Sequence, residues 1–94
     1  MNDLPSIALL ASTHTFPCAY MFKVIGLAER GFAARTVAAV REEMAAEVDP
    51  PFRVRETSGG RHIAVTLQPT VDTPQQVLAI YRRLRLLAGL VLLW

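Results

Sequence analysis

The residues of this 94-residue chain that could do chemistry are few and scattered. Cys18, the only cysteine, stands behind Pro17 in the stretch FPCAYMFKVIG. A thiol becomes a nucleophile where a cation, a helix N-terminus or a base within hydrogen-bond reach favours the thiolate. His14 lies in an N-terminal arm and His62 on another segment, and neither is paired with Cys18 by its spacing. Cys18 therefore reads as a structural residue. The two histidines also lack the companion ligands that a zinc site needs, so no metal and no cofactor is expected. The segment GLAERGFAAR, from Gly26 to Arg35, is a strand-to-helix loop that could offer amides and the Arg35 guanidinium to a phosphate. A last group is cationic: Lys23, Arg53, Arg55 and His62 fall on alternating segments, where they would share one weakly basic surface.

Positioning these groups requires an alternation of strands and helices. Residues 19–25, AYMFKVI, closed by Gly26, predict a strand with Tyr20, Phe22 and Val24 on one face and Met21, Lys23 and Ile25 on the other. Ala33, Val37, Val40, Met44 and Val48 recur at spacings of three and four, which predicts a helix over 31–47 stopped by Asp49, Pro50 and Pro51. The segments FRVRETS and RHIAVTLQ alternate on either side of Gly59 and Gly60, a pair that tolerates the positive φ of a tight hairpin. Phe52 and Val54 oppose Arg53, Arg55 and Thr57, and Ile63, Val65 and Leu67 oppose His62, Ala64, Thr66 and Gln68. Thr73 then reads as an N-cap, with Pro74 in the first turn and Gln76 reaching back to the cap amide. Val77, Ile80, Tyr81, Leu84 and Leu87 or Ala88 continue as a helical stripe to Gly89, and Leu90 to Trp94 close the chain as a strand.

The order strand, helix, strand, strand, helix, strand folds most simply into an α+β ferredoxin-like sandwich, with four antiparallel strands and both helices on one face. Residues 1–15 are expected to form an arm and 16–94 a single domain. Lys23, Arg53, Arg55, His62, Thr66 and Gln68 would lie on the uncovered face. Its central strands lack the aromatic residues on which RNA-recognition motifs stack bases. The Gly26 to Arg35 loop superficially resembles the phosphate loop of acylphosphatases, which share this topology. Its spacing differs, and the chain's one asparagine is Asn2, so no asparagine on a neighbouring strand could orient a water. Arg82, Arg83 and Arg85 read as a solvated helix face.

A composition of 52% hydrophobic and 19% charged residues describes a folded globular chain rather than a disordered one. The net charge of +2 and pI of about 9.2 permit a nucleic-acid partner without indicating one. A lone cysteine points to a reducing compartment. Ile7 to Ala11 is shorter than a signal-peptide core and is preceded by Asp3 rather than a basic residue, and no apolar run approaches membrane-spanning length. A cytoplasmic protein without a membrane segment is expected.

The blocks FPCAYMFKVIG, TSGG and TPQQVLAIYRRL resemble the YbeD-like family of small bacterial domains of unknown function, over nearly the whole chain from Leu9 onward. Phe16, Pro17, Cys18, Lys23, Val24 and Gly26 carry the resemblance, followed by Ser58 and Gly60, then Gln76, Ile80, Tyr81 and Leu84. It implies an ACT-like fold, in keeping with the topology above, and no catalytic residue. The sequence departs from the family's pattern at His62, where a tyrosine is usual, and at Ala64, where a serine is common.

The resulting expectation is a non-enzymatic regulatory or interaction module that senses a small metabolite such as an amino acid. Lys23, Gly26, Arg35, Arg53, Arg55 and His62 are its candidate ligand contacts. The alternatives are a nucleic-acid-associated domain using the basic face and a phosphate-handling enzyme using Gly26 to Arg35. The final strand, Leu90, Val91, Leu92, Leu93 and Trp94, lies at a sheet edge with neither charge nor proline to protect it. It predicts a homodimer, by edge pairing or sheet-face packing. The competing cover is the arm, folded back through Ile7, Leu9 and Leu10.

Overall fold

The computed structural model describes residues 4–57 and 59–94, so Asn2, Asp3 and Ser58 lie outside the described residues. The elements run α1 (Ile7–Thr13), β1 (Cys18–Ala19), β2 (Phe22–Leu27), α2 (Phe32–Glu43), β3 (Phe52–Glu56), β4 (His62–Leu67), β5 (Thr70–Val71), α3 (Pro74–Leu84) and β6 (Leu90–Leu93). The main sheet is antiparallel with strand order β3-β4-β2-β6, the ferredoxin-like arrangement expected from the sequence. The two helices α2 and α3 pack against each other, and α2 covers β4 and β2. The core between the layers is built by Phe22, Val24, Val65 and Leu67 of the sheet and by Val37, Val40, Val77, Ile80 and Leu84 of the helices. The alternation of these strands and the three-four spacing of these helices are the patterns that selected them from the sequence.

Several local features differ from expectation. The first strand is split: Cys18 and Ala19 pair with Val71 and Thr70 in a separate ribbon, and only Phe22 onward joins the main sheet. Helix α2 ends at Glu43 rather than near residue 47. Ala45 takes a left-handed φ of 51°, its N–H donates to Glu42 O, and Ala46 N–H donates to Arg41 O. These two bonds satisfy the terminal carbonyls as a Schellman motif, so the chain turns before the prolines are reached. Val48 consequently leaves the stripe and is 75% exposed.

Thr73 caps α3 as expected, its hydroxyl accepting from Gln76 N–H at 3.1 Å. The Gln76 carboxamide, however, accepts from the Asp72 amide and not from the cap residue's own. Helix α3 stops at Leu84, short of Gly89. In the region read as an arm, Ser6 caps α1, which packs on α3 and buries Leu10. Ile7 and Leu9 remain exposed.

Candidate functional site

The register of the sheet gathers the cationic residues on its uncovered face. One row across the strands runs Arg53, Thr66, Lys23. Trp94 extends it, because Lys23 and Trp94 exchange two main-chain hydrogen bonds of 2.6 and 2.8 Å. The next row runs Arg55, Ala64, Ile25, Leu92. Neighbouring strands are about 4.8 Å apart, so each side chain touches those beside it. The small Ala64 and Thr66 leave a depression of about 530 Å³ between Arg53, Arg55 and Lys23. Among the described residues none of these three cations forms an ion pair; the ion pairs present are Arg41–Asp49, Arg83–Glu42 and Arg83–Glu43. The Lys23 ammonium instead lies 5.7 Å from the Trp94 ring centroid, a cation–π contact that steadies both side chains. The uncovered face thus has a basic half, Arg53 and Arg55 on β3 with Lys23 facing them across β4 from β2, and an apolar half, Ile25 of β2 with Leu92 of β6 and Trp94 just beyond it.

The other candidate contacts lie outside this depression. His62 is on the uncovered face as expected, but it pairs with Leu27 at the far end of β2, one row beyond Ala64 and Ile25. Gly26 sits on the helix-facing side, where a Cβ would come within 2.2 Å of the Phe32 ring. The absence of a side chain there makes room for Phe32, which is 2% exposed in the core. Arg35 is held by main-chain carbonyls, its Nε donating to Arg30 O and its Nη1 to Ala88 O, both at 3.0 Å. It ties the loop before α2 to the loop before β6.

Cys18 is half-buried against the core in the β1–β5 ribbon. His14 Nδ1 lies 2.9 Å from the Thr13 hydroxyl, and its ring packs on Phe16 and Tyr20. His14, beside Tyr20 before the start of β2, and His62, paired with Leu27 at its end, are therefore at opposite ends of that strand. Among the described residues no cluster of His, Cys, Asp or Glu could hold a metal ion, and no helix is long and apolar enough to cross a membrane. The titrating group moved furthest is the Tyr81 phenol, pushed well up by burial and then by its hydrogen bond to Tyr20. It belongs to the core, packed edge-on against Phe22, and not to the basic face.

Residues 11–92 match the family described as a protein of unknown function, DUF493. The chain belongs to that family. Similar curated proteins are the UPF0250 proteins of Shewanella amazonensis and Shewanella oneidensis, each 32% identical over 74 residues that cover 79% of this chain and 82% of the relative. The UPF0250 protein of Shewanella baltica is 28% identical over a span of the same length. The small bacterial family of unknown function that the sequence resembles is the one matched. For this DUF493 chain, sequence reasoning placed Lys23, Arg53, Arg55, His62, Ala64 and Thr66 on one face, as the register does. It missed a second depression on the helix side, between Ala34, Val37 and Ala38 of α2 and Phe52 of β3. The small residues Ala34 and Ala38, one helical turn apart, were the available signal.

Proposed function

We propose that this protein is a non-enzymatic interaction module that holds a small anionic metabolite, such as the carboxylate of an amino acid, on the basic half of its sheet face and dimerises through the apolar half. The observation that carries the ligand reading is the convergence of Lys23, Arg53 and Arg55 around the small floor of Ala64 and Thr66. Arginine forks suit carboxylates because they offer paired donors. The non-enzymatic reading is supported by the placement of Cys18 and His14 before β2, at the opposite end of that strand from His62, which pairs with Leu27. Arg35, which a phosphate-handling loop would need, has its Nε and Nη1 directed to two main-chain carbonyls.

For the dimer, support comes from the C-terminal strand. Val91, Leu92 and Trp94 are 47%, 49% and 51% exposed, and α1 packs on α3 rather than over them. Val91 is the extra residue of a bulge, since Ile25 pairs with Leu92 and Gly26 with Leu90. A bulge interrupts the outer ladder. Packing through Ile25, Leu92 and Trp94 is therefore better supported than edge pairing. The test is a thermal-shift screen against amino acids and other small carboxylates. A ligand present at about ten times its Kd should raise stability by roughly 1.4 kcal/mol, a shift of several degrees. Arg53→Ala and Arg55→Ala should each remove the shift. Salt-dependent retention on nucleic acid with no response to carboxylates would replace this reading with a nucleic-acid one.

A further inference from the structure

Strand β3 has two uncovered features that no other strand combines. Phe52 and Val54 point toward the helix layer yet are 45% and 43% exposed, because α2 packs over β4 and β2 and leaves the outer strand bare. The groove left between α2 and β3 has a volume of about 530 Å³ and is lined by Ala34, Val37, Ala38 and Phe52 with the Arg41–Asp49 ion pair. The backbone of β3 is also half used. Gln68 N–H donates to Pro51 O at 2.9 Å and Thr57 N–H to His62 O at 3.0 Å, with an unbroken register between them. The alternation of an antiparallel ladder therefore spends the groups of Arg53 and Arg55 on β4 and turns those of Phe52, Val54 and Glu56 outward.

We propose that β3 is a docking edge for an extended segment of another protein in which apolar and acidic residues alternate. Its main chain continues the sheet on Phe52, Val54 and Glu56. Its apolar side chains enter the groove beside Phe52, and its acidic ones lie against Arg53 and Arg55 on the opposite face. Successive residues of a strand point to opposite faces, so one alternating segment meets both requirements at once.

Charge selects this occupant over a second copy of the chain. Antiparallel pairing of β3 with itself about Val54 would set Arg53 of one copy against Arg55 of the other, twice, and like charges directly opposite are destabilising. The inference goes beyond the metabolite reading, since a ligand on the uncovered face needs neither the groove nor the outward amides.

The test uses a fluorescent peptide of alternating valine and glutamate, followed by anisotropy and by amide exchange of the full chain. The peptide should bind and slow exchange at Phe52, Val54 and Glu56, and replacing its glutamates by lysines should weaken it by about tenfold or more. Val54→Pro removes only an outward N–H and should abolish binding with an unchanged circular dichroism spectrum. Should that variant fail to fold, Ala34→Arg, which fills the groove from an exposed helix position, carries the test and should also abolish binding. Ala34→Arg should leave the carboxylate thermal shift intact, so the two readings fail separately. Absence of binding, equal binding of the lysine peptide, or binding that survives Ala34→Arg would overturn the proposal. So would self-association of the wild type that Val54→Pro removes, which would make a second copy the occupant.

Discussion

At one side of the sheet the outer strand is Leu90, Val91, Leu92 and Leu93, without a charge and interrupted by a bulge at Val91. At the other it is Phe52, Arg53, Val54, Arg55 and Glu56, unbroken in register and carrying two arginines on one face. Both strands are edges, yet their chemistry rejects different partners. The β6 side offers apolar side chains and a broken ladder, which favours packing of faces over extension of the sheet. The β3 side offers an intact ladder and like charges, which disfavours self-pairing and favours an acidic strand. An edge is thus characterised by what it excludes as much as by the groups it leaves unpaired.

The largest expected effect comes from the residue that seats β6. Gly26 pairs with Leu90 and lies against the Phe32 ring, so Gly26→Val should lower unfolding free energy by about 3 kcal/mol through overpacking, measured by urea denaturation. Amide exchange should accelerate more in β6 than in β3. Equal loosening of both edges would break the distinction between them. Next in size is association. For the proposed face-packed dimer, Leu92→Lys should halve the sedimenting mass, whereas Val91→Lys should weaken association less, because Val91 lies in the bulge. The reverse order would point to edge pairing instead of face packing.

A smaller gain is expected on the opposite edge. Arg53→Glu would place opposite charges across a self-paired β3, at about 0.2 to 1 kcal/mol for each pair, and should make the chain more prone to associate at high concentration. The smallest effect belongs to Cys18, which lies in the β1–β5 ribbon away from both edges. Cys18→Ala should cost about 1 kcal/mol or less and leave mass and ligand response unchanged. A loss of response at unchanged melting temperature would show a chemical role for the thiol.

Local order was legible in the sequence wherever it depends on neighbours along the chain. Phe22 and Val24 against Lys23 and Ile25, the glycine pair between β3 and β4, and Thr73 before Pro74 all express periodicity or capping, which act within a few residues. Topology followed, because short connections between such elements allow few arrangements. The membership of Lys23, Arg53 and Arg55 in one face followed from the same alternation. What stayed hidden depends on distant parts of the chain. The two-residue β1 and β5 are too short to show a period, and each exists because the other is there to pair with it. Leu10 is buried because α3 supplies the surface that receives it, and Val48 is exposed because the bonds around Ala45 end the helix early. Gly26 and Arg35 resembled ligand contacts, but the tertiary structure sets the one beneath Phe32 and ties the other to Ala88 across the fold. The groove beside Phe52 is likewise a matter of where α2 lies over the sheet, which helical spacing does not encode. Alternation determines which way a side chain points, and only long-range packing determines what, if anything, it meets there.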